Sequence, residues 1–127
     1  MNNSLTDLTV KGLLDVTAGK DPVPGGGSIS ALSGSIAAAL TEMVAGLTIG
    51  KKKYAEVEEQ MKELVERVQK IRQQLILDVD RDSEAYNVVF AAFQMPKETD
   101  EEKAARSAQI QEATKIAANV PMEVARR

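Results

Sequence analysis

The chain contains no cysteine and no histidine. Without cysteine there is no disulfide framework and no thiolate metal site. Without histidine there is no imidazole general base, no imidazole metal ligand and no Ser-His-Asp triad. Any chemistry therefore falls to carboxylates, Lys, Arg, Tyr, hydroxyls or backbone amides. Tryptophan is also absent and aromatics make up only 3 %, so the core has to be built from Ala, Leu, Val, Ile and Met, which suits close helix packing. The net charge of −3 offers no broad basic surface, so no nucleic-acid partner is expected. The first residues show no basic segment followed by an apolar run, so no signal peptide is expected and the expected compartment is the cytoplasm.

What is present suits one domain: 127 residues, 43 % apolar and 28 % charged, a balance that argues against wholesale disorder. Ser4 to Ala18 predicts a short amphipathic helix capped by Ser4 and ended by Gly19. Asp21-Pro22-Val23-Pro24 follows as a stiff loop, because each proline fixes its own backbone and restrains its predecessor. Residues 28–49 predict a buried helix. Glu42 is the only charge from Ile29 to Ile49. Such length and apolarity raise the membrane-spanning alternative. Interspersed Ser30, Ser33, Ser35, Thr41 and Thr48 favour a soluble core helix, so no membrane is expected. Its small residues Ala31, Gly34, Ser35, Ala38 and Ala45 would let neighbouring helices approach closely.

Residues 54–95 contain neither Gly nor Pro and predict one long helix, roughly 60 Å at 1.5 Å per residue. Val57, Met61, Leu64, Val68, Ile71 and Leu75 recur at alternating steps of four and three, a coiled-coil-like seam. Pro96 ends this helix. Thr99 to Glu102 is a capping-box signature for the next, which runs towards Asn119, with Pro121 marking a kink or break. No strand pattern is visible. The expected fold is all-α, a helical bundle in a single domain over 1–127.

Three features are candidates for chemistry. Gly25, Gly26, Gly27 and Ser28 form a glycine-rich turn. Ser28 would cap the following helix, whose free amides suit an anion. The plainer reading is a tight turn into a buried helix. It is neither a Walker loop nor a dinucleotide fingerprint, since no strand precedes it.

The acidic group Asp78, Asp80 and Asp82 is the second. Extending the seam from Leu75 by three and four residues reaches Asp78 and Asp82, while Asp80 lies away from the seam. Partial burial and a neighbouring carboxylate would both raise a carboxyl pKa, as a general acid near neutral pH requires. The alternative is that the seam ends at Leu75 and these acids are solvated, or paired with Arg72 or Arg81. The third feature is Lys51-Lys52-Lys53-Tyr54, either a solvated helix end or a cationic grip on a polyanionic tail. Arg106 poses the same choice.

Taken together, Pro22-Val-Pro-Gly-Gly-Gly-Ser28, Met43-Val-Ala-Gly-Leu-Thr-Ile-Gly-Lys-Lys-Lys-Tyr54 and Asp80-Arg-Asp-Ser-Glu-Ala-Tyr86 leading to Pro96 resemble the formiminotetrahydrofolate cyclodeaminase and methenyltetrahydrofolate cyclohydrolase family. The stretches from Glu101 to Arg106 and from Val120 to Val124 fit as well. The order and spacing of the segments carry the resemblance, which covers nearly the whole chain.

The resemblance implies a helical, dimeric enzyme acting on one-carbon derivatives of tetrahydrofolate, without metal or redox cofactor. It would open the 5,10-methenyl bridge with water to 10-formyltetrahydrofolate, or close 5-formiminotetrahydrofolate with loss of ammonia. The resemblance assigns the acid/base role first to Asp82, then to Asp80; Asp78 is a candidate from the seam phase alone. Gly25, Gly26, Gly27 and Ser28 would contact folate through backbone amides, and Lys51 and Lys52 would hold its glutamate tail. Tyr86 stands where the family often has Phe. The family's domain is longer, so the resemblance also implies that its C-terminal helices are missing here, which bears on activity. The competing reading is a non-catalytic helical oligomerisation or folate-binding module.

Overall fold

The computed structural model describes residues 4–127; the first three, part of the segment read for a leader sequence, lie outside the described residues. Four α-helices follow one another: α1 (Val10–Thr17), α2 (Gly26–Thr48), α3 (Glu58–Phe93) and α4 (Asp100–Arg126). Short 3-10 turns at Leu5–Asp7 and Lys52–Val57 precede α1 and α3. No strand occurs among the described residues, and the all-α expectation holds.

Helix α3 is the spine. Along α2, Ser28 meets Val79 and Ser83, Gly34 approaches Leu75, and Glu42 pairs with Arg72. Numbers rise on one helix as they fall on the other, so α2 and α3 are antiparallel. The same holds for α4, where Arg106 reaches Phe93 and Arg127 reaches Asp78. Short connections between the helices make this the expected arrangement.

The interior is built mostly from alanine. Ala31, Ala38, Ala45, Ala85, Ala92 and Ala113 are buried together with Leu75, Val79 and Val120. Alanine contributes little apolar area, but it brings helix backbones close. At Gly34 the approach is close: an added Cβ would lie 3.2 Å from Leu75 Cδ1. Burial of Leu75 contributes on the order of 1.5–3 kcal/mol. The seam from Val57 to Ile71 is half-buried, facing inward as its period predicted.

Helix α2 is apolar on two sides. Its small-residue face lies on α3, while Ile36, Leu40, Met43, Val44 and Leu47 are exposed. By length and composition it is apolar enough to cross a membrane, with a mean hydropathy of 1.4. Its one charge, Glu42, is held against α3 by Arg72.

Four local expectations need correction. The helix expected over Ser4 to Ala18 is divided at Leu8–Thr9. Thr9, not Ser4, caps α1, accepting a 3.0 Å hydrogen bond from the Gly12 amide. Ser28 is not a cap either: α2 starts at Gly26 with Gly25 in the cap position, and Ser28 is fully buried within the first turn.

The long helix begins at Glu58 rather than near residue 54. Gly50 turns the chain at φ 86°, Tyr54 is non-helical, and Glu58 accepts a 2.8 Å bond from the Gly50 amide. Finally, α4 runs through Pro121 without a break. Proline removes one amide donor there, but Val120 is buried and both Glu123 and Arg127 are tied to α3 or to groups on it. Those anchors hold the last turns in place. The Thr99–Glu102 capping box is present as expected.

Candidate active site

The glycine-rich turn and the acidic group, 54 residues apart between Ser28 and Asp82, meet where the N-terminus of α2 crosses α3. The meeting is built around Ser28. Its hydroxyl donates 2.7 Å to the Val79 carbonyl and lies 2.8 Å from the Ser83 hydroxyl, all buried. Asp82 Oδ2 is 3.4 Å from the same hydroxyl, a weak bond at most. The Ser28–Ser83 pair thus fixes the α2 N-terminus against the turn of α3 that carries Asp82.

The three glycines differ in what surrounds them. A Cβ on Gly27 would lie 2.5 Å from Asp82 Cγ, so the carboxylate rests on the bare Cα of residue 27. A Cβ on Gly25 would meet the Pro22 carbonyl at 3.1 Å, so that glycine serves the tight turn. Gly26 has open space on its Cβ side and is exposed. No side chain caps this end of α2, so the first-turn amides of Gly26, Gly27 and Ser28 lie outside the intrahelical ladder. A carboxylate suits that positive end. The structure places Asp82 there.

The other two aspartates have different surroundings. Asp78 is fully buried, in phase with the seam, but it is committed to cations. Arg81 Nη1 donates to it at 2.6 Å, Arg127 Nε at 3.1 Å and Gln74 Nε2 at 3.3 Å. Arg81 and Arg127 also reach Glu123, closing a network between α3 and α4. Burial pushes the Asp78 carboxyl up, yet the hydrogen bonds from Arg127, Arg81 and Gln74 together outweigh it and hold the group below the usual carboxylate range. This corrects the expectation of a raised pKa from burial in the seam: the pairing with Arg81 weighed as the alternative is what the fold adopts.

Asp80 faces another direction. It accepts 2.6 Å from the Leu5 amide and 2.8 Å from the Thr6 hydroxyl, clasping the N-terminal turn to α3. Of the three candidates only Asp82 is brought to the glycine turn.

The basic candidates lie elsewhere. Lys51 and Lys52 are exposed just beyond the far end of α2. With 23 residues in that helix, they stand about 34 Å from the glycine turn of the same chain. Arg106 lies 3.3 Å by Nη2 from the Phe93 carbonyl and 5.5 Å from the centre of its ring, so it closes the C-terminal end of α3.

A shallow groove adjoins the glycine turn. It encloses about 280 Å³ and is lined by Asp21, Pro22 and Val23 of the proline loop and Tyr86, Asn87 and Phe90 of α3. Tyr86 and Phe90 follow Asp82 at one-turn spacing on the same face of the helix. Asn87, Phe90 and Asp21 were not among the sequence candidates. The signal was available in the four-residue steps from Asp82, but only the fold shows that the proline loop forms the opposite wall.

Comparison with known proteins finds relatives of one family. The sequence model of the formiminotransferase-cyclodeaminase family matches residues 9–127. A methenyltetrahydrofolate cyclohydrolase of Methylorubrum extorquens is 48 % identical over 118 residues, covering 93 % of this chain and 57 % of that protein. The formimidoyltransferase-cyclodeaminase of Mus musculus is 31 % identical over 96 % of this chain and 23 % of its own length. The crystal structure of formiminotetrahydrofolate cyclodeaminase from Thermotoga maritima superposes with a TM-score of 0.79 at 37 % identity, covering 94 % of this chain and 56 % of that one. The chain therefore spans little more than half the length of its bacterial relatives. With the family model matching from the cap of α1 to the last residue, the chain belongs to the formiminotransferase-cyclodeaminase family.

Proposed function

We propose that this chain forms the folate-processing site of a cytoplasmic one-carbon enzyme that hydrolyses 5,10-methenyltetrahydrofolate to 10-formyltetrahydrofolate, with Asp82 as the acid/base. The observation that carries the reading is the Asp82 carboxylate against Gly27 at the uncapped start of α2. Hydrolysis is preferred to cyclodeamination because the relative named for hydrolysis is 48 % identical, against 37 % for the structural neighbour named for cyclodeamination.

The chemistry follows from the charges. The methenyl carbon sits between two nitrogens in a cationic bridge, and an anionic carboxylate beside it stabilises that charge. Asp82 takes a proton from the attacking water as the new C–O bond forms. The resulting acid returns the proton to N5 as the N5–C bond breaks, leaving the formyl group on N10. The hydroxyl proton of the intermediate goes to solvent, so one proton is released per turnover. None of these steps uses a metal or a cofactor.

Folate approaches from the Gly26 side, the open face of the turn. At that distance from the turn, Lys51 and Lys52 of a second copy of the chain are better placed for a short glutamate tail than those of the same chain. The exposed stripe of Ile36, Leu40, Val44 and Leu47 on α2 supports such a homodimer.

The test follows methenyltetrahydrofolate absorbance. The chain should accelerate its decay, and Asp82→Asn should reduce the rate by about 10²–10⁴-fold while leaving folate binding largely intact. Appearance of the methenyl compound from the formimino compound, with no decay of added methenyl compound, would reassign the site to cyclodeamination. Binding without either reaction would identify a folate-binding module.

A further inference from the structure

We propose that the groove between the proline loop and α3 receives the pterin ring of the folate, with Tyr86 and Phe90 as its stacking surface and Asp21 and Asn87 as the polar groups that orient it. The proposal rests on the folate reading above and specifies which half of the molecule lies where.

Size is the first argument. A pocket that encloses a whole drug-sized ligand measures roughly 300–1,000 Å³. The groove, at about 280 Å³, suits one bicyclic ring rather than an entire folate.

Its lining is the second. The chain has only two tyrosines and two phenylalanines. Tyr54 and Phe93 each carry a cation, from Lys53 and Arg106. The other two, Tyr86 and Phe90, both line the groove and remain 39 % and 52 % exposed, leaving surface for a flat ligand. The polar lining distinguishes the two aromatic halves of folate. A pterin carries N–H donors and a carbonyl acceptor along one edge, which a carboxylate and an amide can satisfy together. The p-aminobenzoyl ring has no such edge.

Register is the third. Asp82, Tyr86 and Phe90 are spaced four residues apart on α3, so each lies about 6 Å along the helix from the next. A ring stacked on Tyr86 and Phe90 projects its N5 and C6 side one turn back, towards the Asp82 carboxylate.

Two tyrosines and no tryptophan make the test simple. Incorporation of 3-fluorotyrosine gives two fluorine signals, from Tyr54 and Tyr86. Titration of the full chain with 5-formyltetrahydrofolate, a stable reduced folate, should shift the Tyr86 signal and leave Tyr54 in place. Titration with p-aminobenzoylglutamate should leave Tyr86 unmoved. Calorimetry should show Tyr86→Ala weakening 5-formyltetrahydrofolate on the order of tenfold, with Tyr86→Phe restoring it. If the whole compound binds with Tyr86 unmoved, or if the benzoylglutamate half alone moves it, the pterin assignment is overturned and the folate reading stands. If the unmodified chain takes up no 5-formyltetrahydrofolate at all, both are overturned.

Discussion

The carboxylate of Asp82 lies where the side chain of residue 27 would begin, so Gly27 and Asp82 occupy one site between them. The glycine is required for what sits opposite it: it belongs to a regular helix and has ordinary helical backbone. A residue with any side chain there would compete with Asp82 for the same volume.

Gly27→Ala should therefore act on catalysis more than on folding. The atoms in conflict are the far end of a side chain, and Asp82 can swing aside at modest cost. The melting temperature is expected to stay within a few degrees, since alanine in a helix regains up to about 1 kcal/mol over glycine. Methenyltetrahydrofolate decay should slow on the order of 10²-fold as the acid/base is displaced. Gly26→Ala provides the contrast, because its Cβ meets nothing within 4 Å. That variant should fold at least as well and keep the rate constant, while KM rises if substrate lies on the open face. An unfolded Gly27→Ala, or one with unchanged turnover, refutes the shared-site account.

Asp78 should set the acid limit of stability. Its carboxyl is held below the ordinary value by Arg127, Arg81 and Gln74 against the opposing effect of burial. The sign follows from linkage. A carboxyl with a lower pKa in the folded state contributes stability that is fully present above its unfolded value, about 3.9, and lost as pH falls through the folded value. Asp78→Asn should remove that dependence and cost about 1–3 kcal/mol near neutral pH, less than a fully buried broken pair would, because Arg81 and Arg127 are partly exposed and can reach water. Urea denaturation at several pH values measures both effects. An unchanged acid transition in the variant would assign it to other carboxylates.

Ser28→Ala should loosen the site without removing any group that meets substrate. The mutation deletes the buried hydroxyl that contacts Val79 and Ser83 and leaves the Ser83 hydroxyl short of a partner. A loss of about 1–3 kcal/mol is expected in equilibrium unfolding. Turnover should fall through mispositioning of Asp82 with its pH profile unchanged in shape, while Ser28→Thr, which keeps the hydroxyl, should retain the stability only if the extra methyl is accommodated.

The helices were legible in the residues because helix formation is largely local. The period of Val57, Met61, Leu64, Val68, Ile71 and Leu75 marked the inner face of α3, and Thr99 with Glu102 marked the start of α4. The small residues of α2 marked the side that meets α3, and of the two readings left open for Asp78, burial in phase with the seam and pairing with Arg81, the fold adopts both.

Local signals failed where a distant partner decided the outcome. Ser28 has the composition of a cap, but Val79 and Ser83 draw its hydroxyl inward. Pro121 has the composition of a break, but ion pairs to α3 carry the helix past it. Three aspartates within five residues looked alike along the chain, yet each meets something different: arginines at 78, the N-terminal turn at 80 and a glycine at 82. Sequence by itself determined that this is an all-helical chain with no thiol or imidazole, in which an acidic group on the long helix is a candidate for acid/base chemistry. Only the tertiary structure decided which carboxylate stands at the glycine turn, because the antiparallel packing of α2 on α3 sets which residues meet, and neither helix encodes that register alone.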